Sequence, residues 1–319
     1  MGVNPIRILL QTTIPTTTDD WSIARFSRLT ALLEQARTPA GERLFDVTAR
    51  DRTPPVVPAG DSLASRSVVP AGDSLANRSV APDPVLSTLD ESDYDQLWLF
   101  AVDVGDGLTE ADCEAVSRFR RRGGGLLVTR DHMDLGVSVC NLAGVGKAHY
   151  FHSRNLDPVI ENRTIDDPFT THISWPNYHS GANGDFQRIE PVLPLHPVLQ
   201  DSDDSEGRIR FLPAHPHEGG VAAPADEPAR VIARGVSQTT GRLFNLVVAF
   251  EAGSAGGRAI AQSTFHHFAD YNWDASSGCP SFVDEPPGEG MTTNPAALAA
   301  TQRYVLNVAA WLANRAGLR

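Results

Sequence analysis

An α/β fold with a parallel sheet is what this 319-residue sequence predicts. Residues 96–136, QLWLFAVDVGDGLTEADCEAVSRFRRRGGGLLVTRDHMDLG, read as one β-α-β unit. Short runs of bulky apolar residues recur at 6–10 and 259–264, as in strands buried on both faces. A terminal segment from Asn294 and Pro295 carries Leu298, Val305, Val308 and Leu312 at helical spacing, with Trp311 beside them.

In order, residues 6–10 form a first strand that ends in Gln11 and Thr12. Asp20 is placed to cap a helix running to Gln35, with Ile23, Phe26, Leu29 and Leu33 on one face. Residues 44–48 form a second strand. Residues 51–84 then form a Pro/Gly/Ser-rich loop inside the domain. Within it 56–67 (VVPAGDSLASRS) are repeated at 68–79 with one change, Ser65 against Asn77. Two copies of so short a unit do not make a solenoid, so the loop reads as a surface insertion, with a lid or docking loop as the alternative.

In the central unit the apolar run 97–102 is a strand closed by Asp103 and Gly105. Thr109, with Asp112 three residues on, predicts a capped helix. Arg120 to Arg122 suit its last turn and Gly123 to Gly125 stop it. The strand 126–129 ends in Arg130, Asp131 and His132, and the carboxyl end of such a strand is where open α/β sheets bind ligands. A short helix is expected over 134–140. Residues 141–228 form a His/Asn/Gly-rich insertion with little periodicity, expected to contribute to the site. Strands follow at 229–236, 243–250 and 259–264, the first two joined by a hairpin at Gly241. The whole chain, 1–319, is read as one domain.

The net charge of −12 and the pI near 5.2 argue against nucleic acid or an anionic membrane as partner. No apolar run reaches spanning length. Three cysteines at unrelated spacings fit a reducing compartment, and the reading is a bacterial, cytoplasmic protein. The expected partner is a small polar substrate, and self-association into a homo-oligomer is left open.

The run YDQLWLFAVD, a helix, GGGLLVTRDH, and the late GRAIAQSTFHHFADYNW together resemble a class I glutamine amidotransferase-like domain, in particular its ThuA-like (trehalose utilisation) branch. The resemblance covers roughly residues 5–150 and 229–315. It implies a flavodoxin-like parallel sheet between helices, a link to carbohydrate use, and a late histidine for which His266 or His267 is the positional candidate. Amidotransferases place a nucleophilic cysteine after the strand corresponding to 126–129. This chain has Thr129-Arg130-Asp131-His132-Met133 there, and neither Cys113, Cys140 nor Cys279 stands in an elbow, so thiolate chemistry is not expected.

The residues themselves nominate a site. Strand ends deliver Gln11 and Thr12, Asp103, then Arg130, Asp131 and His132, and late in the chain His266 and His267. Carboxylates beside imidazoles supply acid/base chemistry near neutral pH. Asp131, Asp103, His132, His266 and His267 are therefore the catalytic candidates. If 263–267 is extended, only one of the adjacent histidines faces the cleft, and which one is open. Arg130 can hold an anionic group, and Gln11, Thr12, Asn177, His179 and Trp273 suit a polyhydroxylated ligand.

For each residue the bland alternative is a capped helix or a hydrogen-bonded core. A divalent metal is a further reading: His149 with His152, and His215 with His217, have ligand-like spacings, though neither pair completes a set. No nucleotide cofactor is expected. The function expected is a small-molecule hydrolase or lyase using His/Asp acid–base chemistry on a polar, carbohydrate-like substrate. The alternatives are a non-catalytic binding or interaction module and a metal-dependent hydrolase.

Overall fold

The computed structural model describes residues 4–54, 80–166 and 173–313. The duplicated repeat and the lid or docking reading attached to it lie outside the described residues. Thirteen strands form among the described residues. β1 (Ile6–Pro15), β2 (Phe45–Arg52), β3 (Gln96–Phe100) and β4 (Gly125–Thr129) come first. β5 (His149–Tyr150), β6 (Asn177–Tyr178), β7 (Phe186–Arg188), β8 (Glu190–Pro191), β9 (Phe211–Pro213) and β10 (Glu218–Val221) are short. β11 (Ala229–Val236), β12 (Leu243–Phe250) and β13 (Ala259–Gln262) close the set.

Eight strands make one sheet in the order β2-β1-β3-β4-β13-β12-β11-β8. Its first five are mutually parallel. That half has the flavodoxin-like order, in which the second strand lies outside the first and the chain then crosses to the other side. β12, β11 and β8 extend it antiparallel, and Gly241 takes a positive φ of 70° in the β11–β12 hairpin.

The strand sequences dictate this sandwich. Alternate residues of β1, β3 and β4 point to opposite faces, and both faces are apolar. Ile8, Leu10, Trp98, Phe100 and Leu127 join Phe26, Leu29, Tyr304, Val305 and Val308 in one core. Leu9, Leu97, Leu99, Leu126 and Val128 join Val116 and Phe119 in the other.

Helices α1 (Ser27–Gln35) and α5 (Pro295–Leu312) cover the first face and α2 (Glu110–Arg121) the second. α3 (Asp270–Trp273) and α4 (Gly290–Thr293) are single turns. Thr109 and Asp112 form a full capping box at α2.

Three local expectations are corrected. The helix expected from Asp20 begins with a 3-10 turn, Ile23–Phe26, and α1 starts only at Ser27. Its first amides are satisfied not by Asp20 but by Asp270, whose carboxylate accepts from Ser27 N at 3.0 Å and Arg28 N at 2.8 Å. Residues expected as a helix over 134–140 form a 3-10 turn, Val137–Asn141, entered through Gly136 at φ 81°. Leu298 is only half-buried, and Ala297, Ala300, Thr301 and Tyr304 complete the inward face of α5.

The insertion 141–228 supplies two small sheets, β5-β10-β6 and β7-β9, and lends β8 to the main sheet. Its strands run two to four residues, too short for any periodicity to register in the sequence. No helix among the described residues is long and apolar enough to cross a membrane.

Candidate functional site

Parallel strands β4 and β13 lie side by side, with Gln262 opposite Thr129, so the next few residues of each emerge together. β4 continues into Arg130 and Asp131. β13 continues into Thr264 and a 3-10 turn, Phe265–His267, in which the Thr264 hydroxyl accepts from His266 N at 3.1 Å. The segment is therefore not extended, and the two histidines diverge around a turn. His266 faces Asp131. His267 faces Glu218.

Asp131 is the centre of one cluster. It is only 3% exposed, yet His132 Nδ1 approaches Oδ2 at 3.2 Å, His215 Nε2 approaches Oδ1 at 3.4 Å, and His266 Nε2 approaches Oδ2 at 3.9 Å. The His215 and His266 rings stack at 3.6 Å, and the edge of Trp21 supports His266 at 4.6 Å. Burial opposes ionisation of Asp131, but the neighbouring His132 holds its carboxyl well below the usual range. Burial pushes His215 down to about 4 and also depresses His266, where the neighbouring His215 adds to the effect.

A further histidine, His217, lies 5.2 Å from the His132 ring and contacts Glu285 at 3.1 Å. That contact, against a smaller opposing effect of burial, holds Glu285 down to about 2. The cluster meets solvent through the side chains of His132, 18% exposed, and Glu285, 34% exposed.

The proton positions on two rings follow from one carbonyl. Ala214 O can only accept, so the group facing it at 3.2 Å is the Asn272 amide nitrogen. That nitrogen also donates to Asn183 Oδ1 at 2.8 Å. Asn272 Oδ1 and Asn183 Oδ1 are then acceptors, facing His266 Nδ1 at 2.8 Å and His215 Nδ1 at 2.9 Å. Both Nδ1 atoms must carry the hydrogen. In each neutral ring Nε2 is left with a lone pair aimed at the Asp131 carboxylate. Asp131 Oδ1 and His215 Nε2 are buried without a hydrogen-bond partner.

Beside this cluster runs the Arg130 side chain, fully buried and stacked 4.1 Å over Phe151. Its Nη2 donates to Met133 O, while Nε and Nη1 have no partner among the described residues. Burial brings the guanidinium down to about 10. A Cβ on Gly219 would fall 1.8 Å from Nη1, so only glycine fits beneath it. Gly219 pairs with Asn177, whose amide nitrogen and oxygen are both buried and unpartnered. His149 is likewise buried with neither nitrogen paired, and burial and then Arg130 push it down to about 3.

Other expected site residues are placed elsewhere. Thr12 donates to Asp51 at 2.6 Å and Gln11 accepts from Arg50 at 2.7 Å, so both tie β1 to β2. Asp103 accepts from Ser138 Oγ at 2.8 Å and Gly105 N at 2.9 Å, holding the loop after β3, and burial raises its pKa. His267 is locked in the Glu218 network.

Trp273 is buried in the core, its indole donating to His267 O at 2.9 Å. His179 N donates to Asp166 at 2.6 Å, while its Nδ1 is unpartnered. His152 faces Ser174 at 3.3 Å and Trp175 at 5.4 Å. The metal pairs read from spacing are thus redistributed: of those four histidines only His215 enters the group with metal-ligand geometry, which is Asp131, His215 and His266.

The residue of the cluster that sequence reasoning missed is Glu285, while Asn183 and Asn272 belong to the same amide-rich stretches as Asn177 and Trp273. The His215-Pro216-His217 alternation was the available signal for the insertion. Burial pushes Cys113 up to about 12 and Cys140 up to about 11, so neither is poised as a thiolate. A surface depression of about 750 Å³, lined by Thr16, Arg25, Arg28 and Asp270 among others, contains no residue of the cluster.

No family model matches the chain and no curated protein matches it. Among solved structures it is similar to a putative ThuA-like protein from Bacteroides uniformis ATCC 8492. The identity is 12% and the TM-score 0.41, over 96% of this chain and 94% of that one. It is similar to the mmIFT52 N-terminal domain at 10% identity and TM-score 0.40, over 83% and 88% of the two chains. Overlaps this loose carry no argument about activity.

Proposed function

We propose that the protein is a small-molecule hydrolase or lyase acting on a polar substrate by His/Asp acid–base chemistry, with no cysteine nucleophile. One observation carries the reading. A buried carboxylate at the end of β4 gathers imidazoles from three separate parts of the chain, and one of them, His132, reaches solvent. In this reading His132 transfers the proton, and the Asp131 carboxylate, 3.2 Å from its Nδ1, stabilises the imidazolium as it forms.

Arg130 anchors an anionic or strongly polar group of the substrate, whose oxygens replace the missing partners of its Nε and Nη1. Asn177 and His149 have donors and acceptors free for the same task. The carbohydrate-like substrate implied by the ThuA-like resemblance is compatible with that amide-rich lining.

The test is turnover across a panel of glycosides, lactones, esters and sugar acids, with and without the His132→Gln change. Conversion of at least one class, lowered about a hundredfold or more by that change, is the expected result. Conversion of a substrate at undiminished rate by the variant would overturn the reading.

A further inference from the structure

We infer that Asp131, His215 and His266 form a binding site for one divalent transition-metal ion, held by a carboxylate oxygen and two imidazole Nε2 atoms. The inference does not rest on the hydrolase reading, because an ion can bind whether or not the protein turns a substrate over.

The Ala214 carbonyl, through Asn272 and Asn183, assigns the hydrogens of His215 and His266 to Nδ1. Their Nε2 lone pairs then converge on an anionic carboxylate in a buried setting. Three acceptors facing one another without a donor repel. Burying them together is costly unless something positive lies between them. Asp131 Oδ1 and His215 Nε2 are unpartnered for this reason.

His132 is the nearest donor to the carboxylate, but its Nδ1 satisfies no hydrogen-bond geometry despite the 3.2 Å approach. A metal ion supplies the missing charge.

The spacing agrees. The three ligand atoms lie within 4.8 Å of one another, and His215 Nε2 stands 3.4 Å from Asp131 Oδ1. With bonds of roughly 2.1 Å at tetrahedral to octahedral angles, neighbouring ligand atoms sit roughly 3.0–3.4 Å apart. His266 Nε2 stands 3.9 Å from the other carboxylate oxygen, Oδ2, so a small closing movement of the carboxylate or the ring brings all three ligands onto one ion. Ring orientation is already fixed from outside. Each imidazole donates its Nδ1 hydrogen to a side-chain amide oxygen, the usual arrangement behind metal-bound histidine.

Two nitrogens and one oxygen suit Zn²⁺, Fe²⁺, Mn²⁺ or Co²⁺ rather than Mg²⁺ or Ca²⁺. Three protein ligands leave further positions open for water or substrate on the side of His132 and His217. Nothing in the spacing of 131, 215 and 266 announces such a set, since the ligands come from three unconnected segments.

The experiment uses the full chain, stripped with a chelator and titrated separately with Zn²⁺, Mn²⁺ and Co²⁺ by calorimetry. One ion per chain with a micromolar or tighter dissociation constant is expected for at least one metal. At roughly a hundredfold excess over that constant, the melting temperature should rise by about 4 °C. Asp131→Asn, His215→Gln and His266→Gln should each weaken binding a hundredfold or more, while His217→Gln leaves it within a few-fold.

Electron spin-echo modulation of the Cu²⁺-loaded natural chain should show the remote nitrogens of two imidazoles, which decides the matter even if the variants fold poorly. No stoichiometric binding by any of these metals, binding indifferent to all three substitutions, or a spectrum without imidazole nitrogens would each overturn the inference.

Discussion

Glu218 and Asp131 are both buried carboxylates near the carboxyl ends of β4 and β13, and the chain surrounds each with imidazole and amide groups. Around Glu218 the carboxylate's own hydrogen bonds close, with only the far oxygen of Gln187 left unpartnered. Its Oε1 accepts from Ser180 Oγ at 2.6 Å and from Gln187 Nε2, and its Oε2 accepts from Ser263 Oγ at 2.7 Å. Tyr304 donates to Gln262 Oε1, so Gln262 Nε2 donates to His267 Nδ1, and His267 Nε2–H is left to face Glu218 at 3.3 Å. His267 thus has the opposite tautomer to His266, its neighbour in sequence. Around Asp131 the bonds do not close. A satisfied buried network fixes a fold, whereas a cluster of unpartnered acceptors marks the place where something else belongs.

The comparison can be broken most forcefully at Glu218. Glu218→Ala strands the hydroxyls of Ser180 and Ser263 along with Gln187 and His267, and should cost about 3–5 kcal/mol in urea unfolding. A loss under about 1 kcal/mol would mean that this network does not hold the insertion to the sheet.

Next comes the open cluster. His132→Gln should lower kcat/KM on an identified substrate about a hundredfold while stability moves by no more than about half a kcal/mol. A variant that unfolds as readily as Glu218→Ala would erase the distinction between the two carboxylates.

Smaller still, and opposite in sign, is Arg130→Met. Removing a buried cation with two unpartnered donors should leave stability unchanged or raise it by up to about 2 kcal/mol, measured by thermal unfolding. Clear destabilisation would show that Arg130 belongs with the satisfied groups.

The last contrast concerns pH, and at neutral pH it changes nothing. His149 is pushed from its ordinary 6.5 down to about 3. As pH falls below 6.5 the unfolded chain takes up this proton first. The stability this residue contributes is therefore full above pH 6.5 and is lost as pH falls through about 3. His149→Phe should make the acid limb of stability against pH shallower by close to one proton. An identical slope in both proteins would show that His149 does not titrate in this window.

Much of the architecture was legible because it is local. The capping box of Thr109 and Asp112, the glycines after Arg122, and the apolar runs of β1, β3, β4 and β13 each announce themselves within a dozen residues. The candidate site was legible only by halves. Arg130, Asp131 and His132 stand at a strand end, a position with meaning in an α/β sheet, and His266 comes after another strand. Gln11, Thr12 and Asp103 share that position yet serve to stitch neighbouring segments together. A strand end is therefore an opportunity and not an assignment.

From the sequence alone came the individual strands and helices of the parallel α/β core and the strand ends where polar residues collect, because periodicity and capping act over short distances. Tertiary structure alone decided that His266 turns to Asp131 while His267 turns to Glu218, and that His215 arrives from an insertion without periodicity. It also decided which nitrogen of each ring carries its hydrogen. Most of those choices depend on distant partners, such as Asn183, which lies 32 residues from His215 and 89 from Asn272. No pattern read along the chain encodes which of several distant polar groups will meet when the core closes.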